Sequence, residues 1–107
     1  MARALIKVPP TARRGEVIEI RTLISHPMET GYRPGADGKV VPRNIIRRFF
    51  CRYNGEVVFS AELHPAIAAN PNIVFYTVAT ESGTLSFTWE GDQGFSQTES
   101  VGITVTA

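Results

Sequence analysis

Three side chains in this sequence could bind a transition metal: His26, Met28 and His64. Copper accepts an imidazole together with a nearby thioether, and Met28 lies close after His26 in the chain. No further strong ligand lies near them, and each histidine precedes a proline, which is typical of a turn at the end of a strand. We therefore favour a structural role for both histidines, in turns at the ends of strands. A small extracytoplasmic copper-binding module that uses His26, Met28 and His64 stays open as an alternative function.

The chain has one cysteine, Cys51, which limits its thiol chemistry. An intrachain disulfide and a metal site built on two cysteines are both excluded. Alternation along the strand places Cys51 on the same face as Phe49 and Tyr53, where burial would raise the thiol pKa and make it unreactive. We predict that Cys51 is a core residue, and an intermolecular disulfide stays open.

No group of residues indicates an enzyme. The sequence contains no Gly-x-Ser-x-Gly turn, no paired carboxylates with evident roles and no phosphate-binding glycine loop between a strand and a helix. A nucleophile also requires a base within hydrogen-bonding distance and a group that orients the base. We therefore predict no catalytic residue and no cofactor.

The strand that contains Cys51 predicts an unusual surface instead. Its face opposite the core carries Ile46, Arg48, Phe50 and Arg52, so an aromatic ring is expected to point outward between two arginines. Arginine and aromatic residues are enriched at the centres of protein interfaces. A protein-binding surface is favoured here over base stacking on RNA, because the chain carries almost no net charge.

A second outward aromatic, Tyr76, lies between Val74 and Val78 on a later strand. If this strand is a neighbour of the one that carries Phe50, the two faces join into a single apolar patch rimmed by Arg48 and Arg52. This patch is the first candidate partner surface.

The segment 26–43, which contains His26, Met28 and Glu29, is the second candidate surface. It is longer than the ~12–15 residues beyond which connections without structure of their own are uncommon. Asp37 and Gly38 can fold part of it into a small hairpin. A binding loop and an elaborated sheet connection are both consistent with this composition.

A period of two dominates the rest of the chain. Leu85, Phe87 and Trp89 alternate with polar residues, which is typical of a strand with one buried face. Asn54 and Gly55 separate two such strands and predict a tight hairpin. The same reasoning predicts seven strands and no long helix, at residues 4–8, 16–25, 44–53, 57–63, 73–79, 84–90 and 100–106.

These elements predict an all-β fold: a seven-stranded antiparallel β-sandwich, immunoglobulin-like or fibronectin type III-like. With 107 residues, the chain is expected to form a single domain over 1–107. A formal net charge of +1 gives no reason to expect nucleic acid or an anionic membrane as partner. No apolar run approaches the ~20 residues of a membrane span, and Lys7 interrupts the apolar start, so no signal peptide is expected.

Four segments identify the chain as similar to the SoxZ family, the non-carrier subunits of the sulfur-oxidation carrier complex. The first is 15–31, which reads GEVIEIRTLISHPMETG. The others are PRNII at 42–46, FFCRYNG at 49–55 and PAIAANP at 65–71. They occur in this order, and the resemblance covers nearly the whole chain.

The resemblance implies a fold similar to fibronectin-type sandwiches and a heterodimer, or a higher assembly, with SoxY. SoxY carries thiosulfate-derived sulfur on the cysteine of a flexible C-terminal arm, and the SoxZ-type subunit is a non-catalytic scaffold that helps to present this arm to other Sox enzymes. Such complexes work in the periplasm, and the resemblance implies export together with SoxY, which carries the signal peptide. Phe50 and Tyr76 are then expected to contact SoxY, with Arg48 and Arg52 at the rim, while His26, Met28 and Glu29 face SoxY or the visiting enzymes.

Overall fold

A computed structural model describes residues 2–107, in which eight β-strands form two sheets and no helix occurs. No segment of this described range forms a helix suited to crossing a membrane. The strands are β1 (Ala4–Lys7), β2 (Thr11–Arg13), β3 (Val17–Ile24), β4 (Ile46–Tyr53), β5 (Glu56–Glu62), β6 (Asn72–Val78), β7 (Gly83–Gly91) and β8 (Ser96–Thr106).

The two sheets contain three and five strands. The three-stranded sheet has the order β1-β3-β6, and the five-stranded sheet has the order β2-β8-β7-β4-β5. Their inner faces pack on each other to form the core, as in a β-sandwich. The predicted all-β class is therefore confirmed, and the architecture is consistent with an immunoglobulin-like sandwich.

The strand count and the purely antiparallel arrangement differ from the prediction. The additional strand, β2, pairs in parallel with β8, with Thr11 opposite Thr104. This strand has three residues, of which only Ala12 is buried. Such a segment is too short for an alternating pattern to reveal it.

An aromatic cluster fills the core between the sheets. Phe49 is its centre, with ring centroids 5.3 Å from Trp89, 6.1 Å from Phe75 and 6.2 Å from Phe59. Cys51 is fully buried beside this cluster, as predicted, and desolvation raises the pKa of its thiol to about 12. The thiol is thus protonated and inert at neutral pH.

A bulge in β4 corrects the prediction for Ile46. The pairing of β4 with β7 shifts register between Ile46 and Arg48. As a result Ile46 is fully buried, whereas Arg47 and Arg48 are both exposed. The predicted outward position of Ile46 is wrong, because an extra residue in a strand reverses the alternation of faces beyond it.

Tyr53, at the end of β4, holds the turn that leads into β7. Its hydroxyl accepts hydrogen bonds from the backbone N–H groups of Thr80 (3.3 Å) and Glu81 (3.2 Å), and donates to the Glu81 carbonyl. The side chain is nearly buried, so removal of the hydroxyl leaves these backbone groups without a partner.

Replacement of Tyr53 by phenylalanine is expected to lower the free energy of unfolding by about 1–3 kcal/mol. Urea denaturation followed by fluorescence measures the effect. Tyr32→Phe is the control, because Tyr32 is 82% exposed and its replacement should change stability by less than about 0.5 kcal/mol. Equal effects of the two substitutions would contradict this role of the Tyr53 hydroxyl.

Candidate functional site

The structure separates the two aromatic residues of the first candidate surface. Phe50 lies on β4 in the five-stranded sheet, and Tyr76 lies on β6 in the three-stranded sheet. The inward neighbours of these residues, Phe49 and Phe75, contact each other across the core. Phe50 and Tyr76 therefore point to opposite sides of the sandwich, and the single joined patch is not formed.

The outer face of the three-stranded sheet is the larger apolar surface. Exposed apolar side chains dominate it, and we call it the valine–tyrosine face: Leu5, Val17, Val74, Tyr76 and Val78. In the register of the sheet, Val17 lies opposite Val78 and Glu19 lies opposite Tyr76. Exposed apolar side chains grouped in this way on one face of a sheet are typical of a protein-binding site.

A polar network sits in the middle of the valine–tyrosine face. The Glu19 carboxylate pairs with Arg21 at 2.5 Å and accepts a hydrogen bond from the Tyr76 hydroxyl at 2.9 Å. The bond from Arg21, followed by that from Tyr76, holds the pKa of Glu19 below its usual value. Glu19 and Arg21 thus neutralise each other within the chain, which leaves the aromatic and aliphatic groups around them free for a partner.

The outer face of the five-stranded sheet has a different character. Phe50 points outward as predicted but is only 7% exposed, because Arg48 and Arg52 cover it with guanidinium carbons 4.9 and 4.6 Å from the ring centroid. Arg48 also pairs with Glu90 at 2.9 Å. This face therefore presents charged groups stacked on a ring in place of an exposed aromatic.

The two candidate copper ligands nearest in sequence are in contact, but their lone pairs are engaged. The Met28 N–H donates to His26 Nδ1 at 3.0 Å, and the Ile46 N–H donates to Met28 Sδ at 3.3 Å. Both side chains are buried, and the His26 ring packs edge-on against Phe95 at 5.0 Å. These contacts give both residues a structural role, in the packing of the segment that follows β3.

His64 lies in a separate environment at the surface. It lines a groove of about 290 Å³ together with Arg43, Arg47 and Arg48, and neither His26 nor Met28 lines this groove. Between residues 2 and 107, no three histidine, cysteine or acidic side chains form a cluster suited to a metal ion. His64 therefore does not lie together with His26 and Met28, and the three predicted copper ligands do not form one site.

The segment 26–43 folds back on itself as a small hairpin. Pro34 forms a bridge with Val40, and the Gly35 N–H donates to the Lys39 carbonyl at 2.6 Å. At its base, Glu29 pairs with Arg33 at 2.6 Å, and this bond lowers the pKa of Glu29. The predicted hairpin is confirmed, and its exposed side chains include Tyr32 and Val40.

Asp92 is an organising residue that the sequence indicates only as part of a turn. Its carboxylate accepts the Ile45 N–H at 3.1 Å and pairs with Arg43 at 2.8 Å and Arg47 at 3.2 Å. Burial opposes its charge, but the hydrogen bonds and the nearby arginines outweigh burial and lower its pKa. Asp92 thereby anchors the entry into β4, and no local sequence signal links it to that strand.

Stability is expected to fall as the pH drops below the unfolded histidine pKa of about 6.5. Burial lowers the pKa of His26 in the folded protein, partly offset by the charge of Asp92, so protonation favours the unfolded chain. Protonation of Nδ1 also removes the acceptor for the Met28 N–H. Thermal unfolding between pH 7.5 and pH 5 measures this loss, which His26→Gln should reduce and His64→Gln should leave intact. An unchanged slope in His26→Gln would assign the pH dependence to other groups.

Comparison with known proteins identifies one sequence family and several similar folds. The model of the family described as "Sulphur oxidation protein SoxZ" matches residues 6–102. No curated protein sequence matches the chain.

The solved structures share the fold at low sequence identity. A superoxide reductase (neelaredoxin) from Ignicoccus hospitalis is 14% identical, with a TM-score of 0.72 over 98% of this chain and 82% of that chain. The sulfur carrier protein SoxY from Chlorobium limicola f thiosulfatophilum is 15% identical, with a TM-score of 0.67 over 97% of this chain and 79% of that chain. A putative superoxide reductase from Thermotoga maritima is 17% identical, with a TM-score of 0.63 over 97% of this chain and 86% of that chain. At these identities the likeness concerns the fold alone.

Proposed function

Because the chain belongs to the SoxZ family of sulfur-oxidation proteins, we propose that it is the non-catalytic scaffold that pairs with a SoxY-type carrier. The chain thus has its role in the Sox sulfur-oxidation system, where it helps to present the cysteine arm of the carrier to the Sox enzymes. The complex works in the periplasm, and the chain is exported together with the carrier. The chain contributes surface and rigidity to it, with no cofactor of its own.

The valine–tyrosine face is the observation that supports this role most strongly. Of the ten large hydrophobic residues that are exposed between residues 2 and 107, five lie on this one face. Two sandwiches that pack sheet on sheet bury a layer of side chains between them, which is the geometry that such a face allows. We assign the carrier contact to this face, centred on Tyr76, and not to the opposite face that carries Phe50.

Introduction of charge on the valine–tyrosine face is expected to abolish pairing with the carrier. Val78→Glu and Tyr76→Glu would each place a carboxylate in the buried centre of the interface, and loss of a central contact of this kind typically costs at least 2 kcal/mol, or about thirtyfold in affinity. Co-purification with a tagged SoxY-type carrier, followed by native mass spectrometry, measures the loss.

Val40→Glu is the matched control, because Val40 is also an exposed valine but lies on the hairpin of segment 26–43. This variant should pair normally if the hairpin faces the visiting enzymes. Circular dichroism establishes that each variant is folded. Normal pairing of folded Val78→Glu would contradict the assignment of the carrier contact to the valine–tyrosine face. Loss of pairing in Val40→Glu alone would contradict it as well.

The proposed location has its own test. When the export signal of the carrier is deleted, both chains are expected to remain in the cytoplasmic fraction. Recovery of this chain from the periplasm without the carrier would overturn joint export.

A further inference from the structure

The outer face of the five-stranded sheet contains a groove of about 420 Å³ that the proposed carrier contact leaves open. Its lining residues belong to β4 and β5, and the Phe50 ring lies beneath the guanidinium groups of Arg48 and Arg52. The lining side chains combine cationic, hydroxyl and apolar groups: Arg48, Phe50, Arg52, Val57, Ser60, Ala61 and Glu62.

The two arginines of this groove are not equivalent. Arg48 is neutralised by Glu90 and also lies opposite Glu62 in the register of the sheet. Arg52 forms no ion pair with any residue between 2 and 107. The positive charge of the groove is therefore concentrated at the Arg52 end, away from Glu62.

The surroundings of Arg52 suit an anion. Its neighbours across the sheet are Val57 on β5 and Ser86 on β7, and Ser60 lies opposite Phe50. No carboxylate occupies these positions. The stacking of Arg52 on Phe50 orients the guanidinium and lowers the entropy that is lost when it binds a ligand.

We propose that this groove binds a sulfur oxoanion, with Arg52 as the principal ligand and the Ser60 hydroxyl as a second donor. The inference rests on the proposed function for the class of ligand, because sulfate, sulfite and thiosulfate are all oxoanions at neutral pH. A guanidinium presents paired N–H donors that match two oxygens of such an anion. The exposed Val57 side chain opposite Arg52 suits a ligand whose remaining sulfur atom is only weakly hydrated, as in thiosulfate.

Titration of the isolated chain with sodium thiosulfate, at constant ionic strength set by chloride, tests the site. The NMR signals of the arginine Nε–H groups report each guanidinium separately. Saturable shifts are expected at Arg52, and Arg52→Gln should weaken the binding about tenfold. Arg14 is the internal control, because it is exposed and has no ion pair among the described residues.

Two sources of the anion can be distinguished by a second titration with S-sulfocysteine. Tighter binding of S-sulfocysteine than of thiosulfate would indicate an anion carried on a cysteine, and the reverse would indicate the free ion; both support the site. Non-saturating shifts, or equal shifts at Arg52 and Arg14, would overturn it.

Failure of this inference can be separated from failure of the proposed function. Arg52→Gln is expected to pair with the carrier as the unmodified chain does, because Arg52 lies on the opposite side of the sandwich from Tyr76. A negative titration with normal pairing would remove only the anion site. Loss of pairing in Arg52→Gln would instead make Arg52 a carrier contact and overturn both the site and the assignment of the interface.

Discussion

Replacement of Phe49 by alanine is expected to lower the free energy of unfolding by about 3–5 kcal/mol. Phe49 is fully buried at the point where the aromatic rings of both sheets meet, so its removal leaves a cavity that rigid neighbouring strands cannot fill. Since domains of this kind are stabilised by about 5–15 kcal/mol in total, much of the stability would be lost. Equilibrium urea denaturation measures the change.

Phe50→Ala is the control for Phe49→Ala, since it removes the same ring from the next position in the strand. Phe50 lies on the outer face, where its cover consists of two exposed arginine side chains that can move into the vacated space. The smaller loss is therefore expected for Phe50→Ala. A larger loss at Phe50 than at Phe49 would contradict the central role of Phe49 between the sheets.

Gly91→Ala is the second substitution with a large expected effect, a loss of about 3 kcal/mol or more. An added Cβ would lie 2.4 Å from the Ile45 carbonyl oxygen and 2.9 Å from the Ile46 Cα. Both atoms belong to the backbone at the bulged start of β4, where Gly91 pairs with Ile46. Neither atom can move without disruption of the sheet.

Gly102→Ala on β8 is the matched control for Gly91→Ala. The nearest atom to its added Cβ is a carbonyl oxygen at 3.8 Å, which is an ordinary contact. Alanine there should be neutral or slightly stabilising, since it restricts the unfolded chain. Thermal denaturation of both variants measures the difference, and similar melting temperatures would show that β4 can yield at its bulge.

Seven of the eight strands, and most of their buried faces, could be predicted from alternation. Leu85, Phe87 and Trp89 are all fully buried, as their spacing predicts. The hairpin at Asn54 and Gly55 forms with positive φ at both residues, the geometry for which this pair is suited. These features are local, because consecutive residues determine a strand and the turn that follows it.

The neighbours of each strand could not be predicted in the same way. β3 pairs with β6, and β4 pairs with β7, which are contacts between segments far apart in sequence. The prediction of a single joined patch was wrong for this reason, because Phe50 and Tyr76 are outward residues on strands of different sheets. The bulge that buries Ile46 is equally non-local, since it depends on the close approach of Gly91.

The family assignment was accessible because it depends on long matching segments rather than on geometry. The family match over residues 6–102 confirms it. Sequence reasoning could not reveal Asp92, whose bonds to Ile45, Arg43 and Arg47 join residues from two distant turns.

The parallel pairing of β2 with β8 determines when the five-stranded sheet can be completed. β2 is the first strand of the five-stranded sheet in chain order, but its partners Thr104 and Val105 lie on β8, the last strand of that sheet. The β2 edge must therefore wait, unpaired, until translation of β8 has finished, and closure of so long a loop is an intrinsically slow step. Completion of this edge is consequently a late step of folding, and a chaperone or an early-binding subunit would meet the chain with β2 still free.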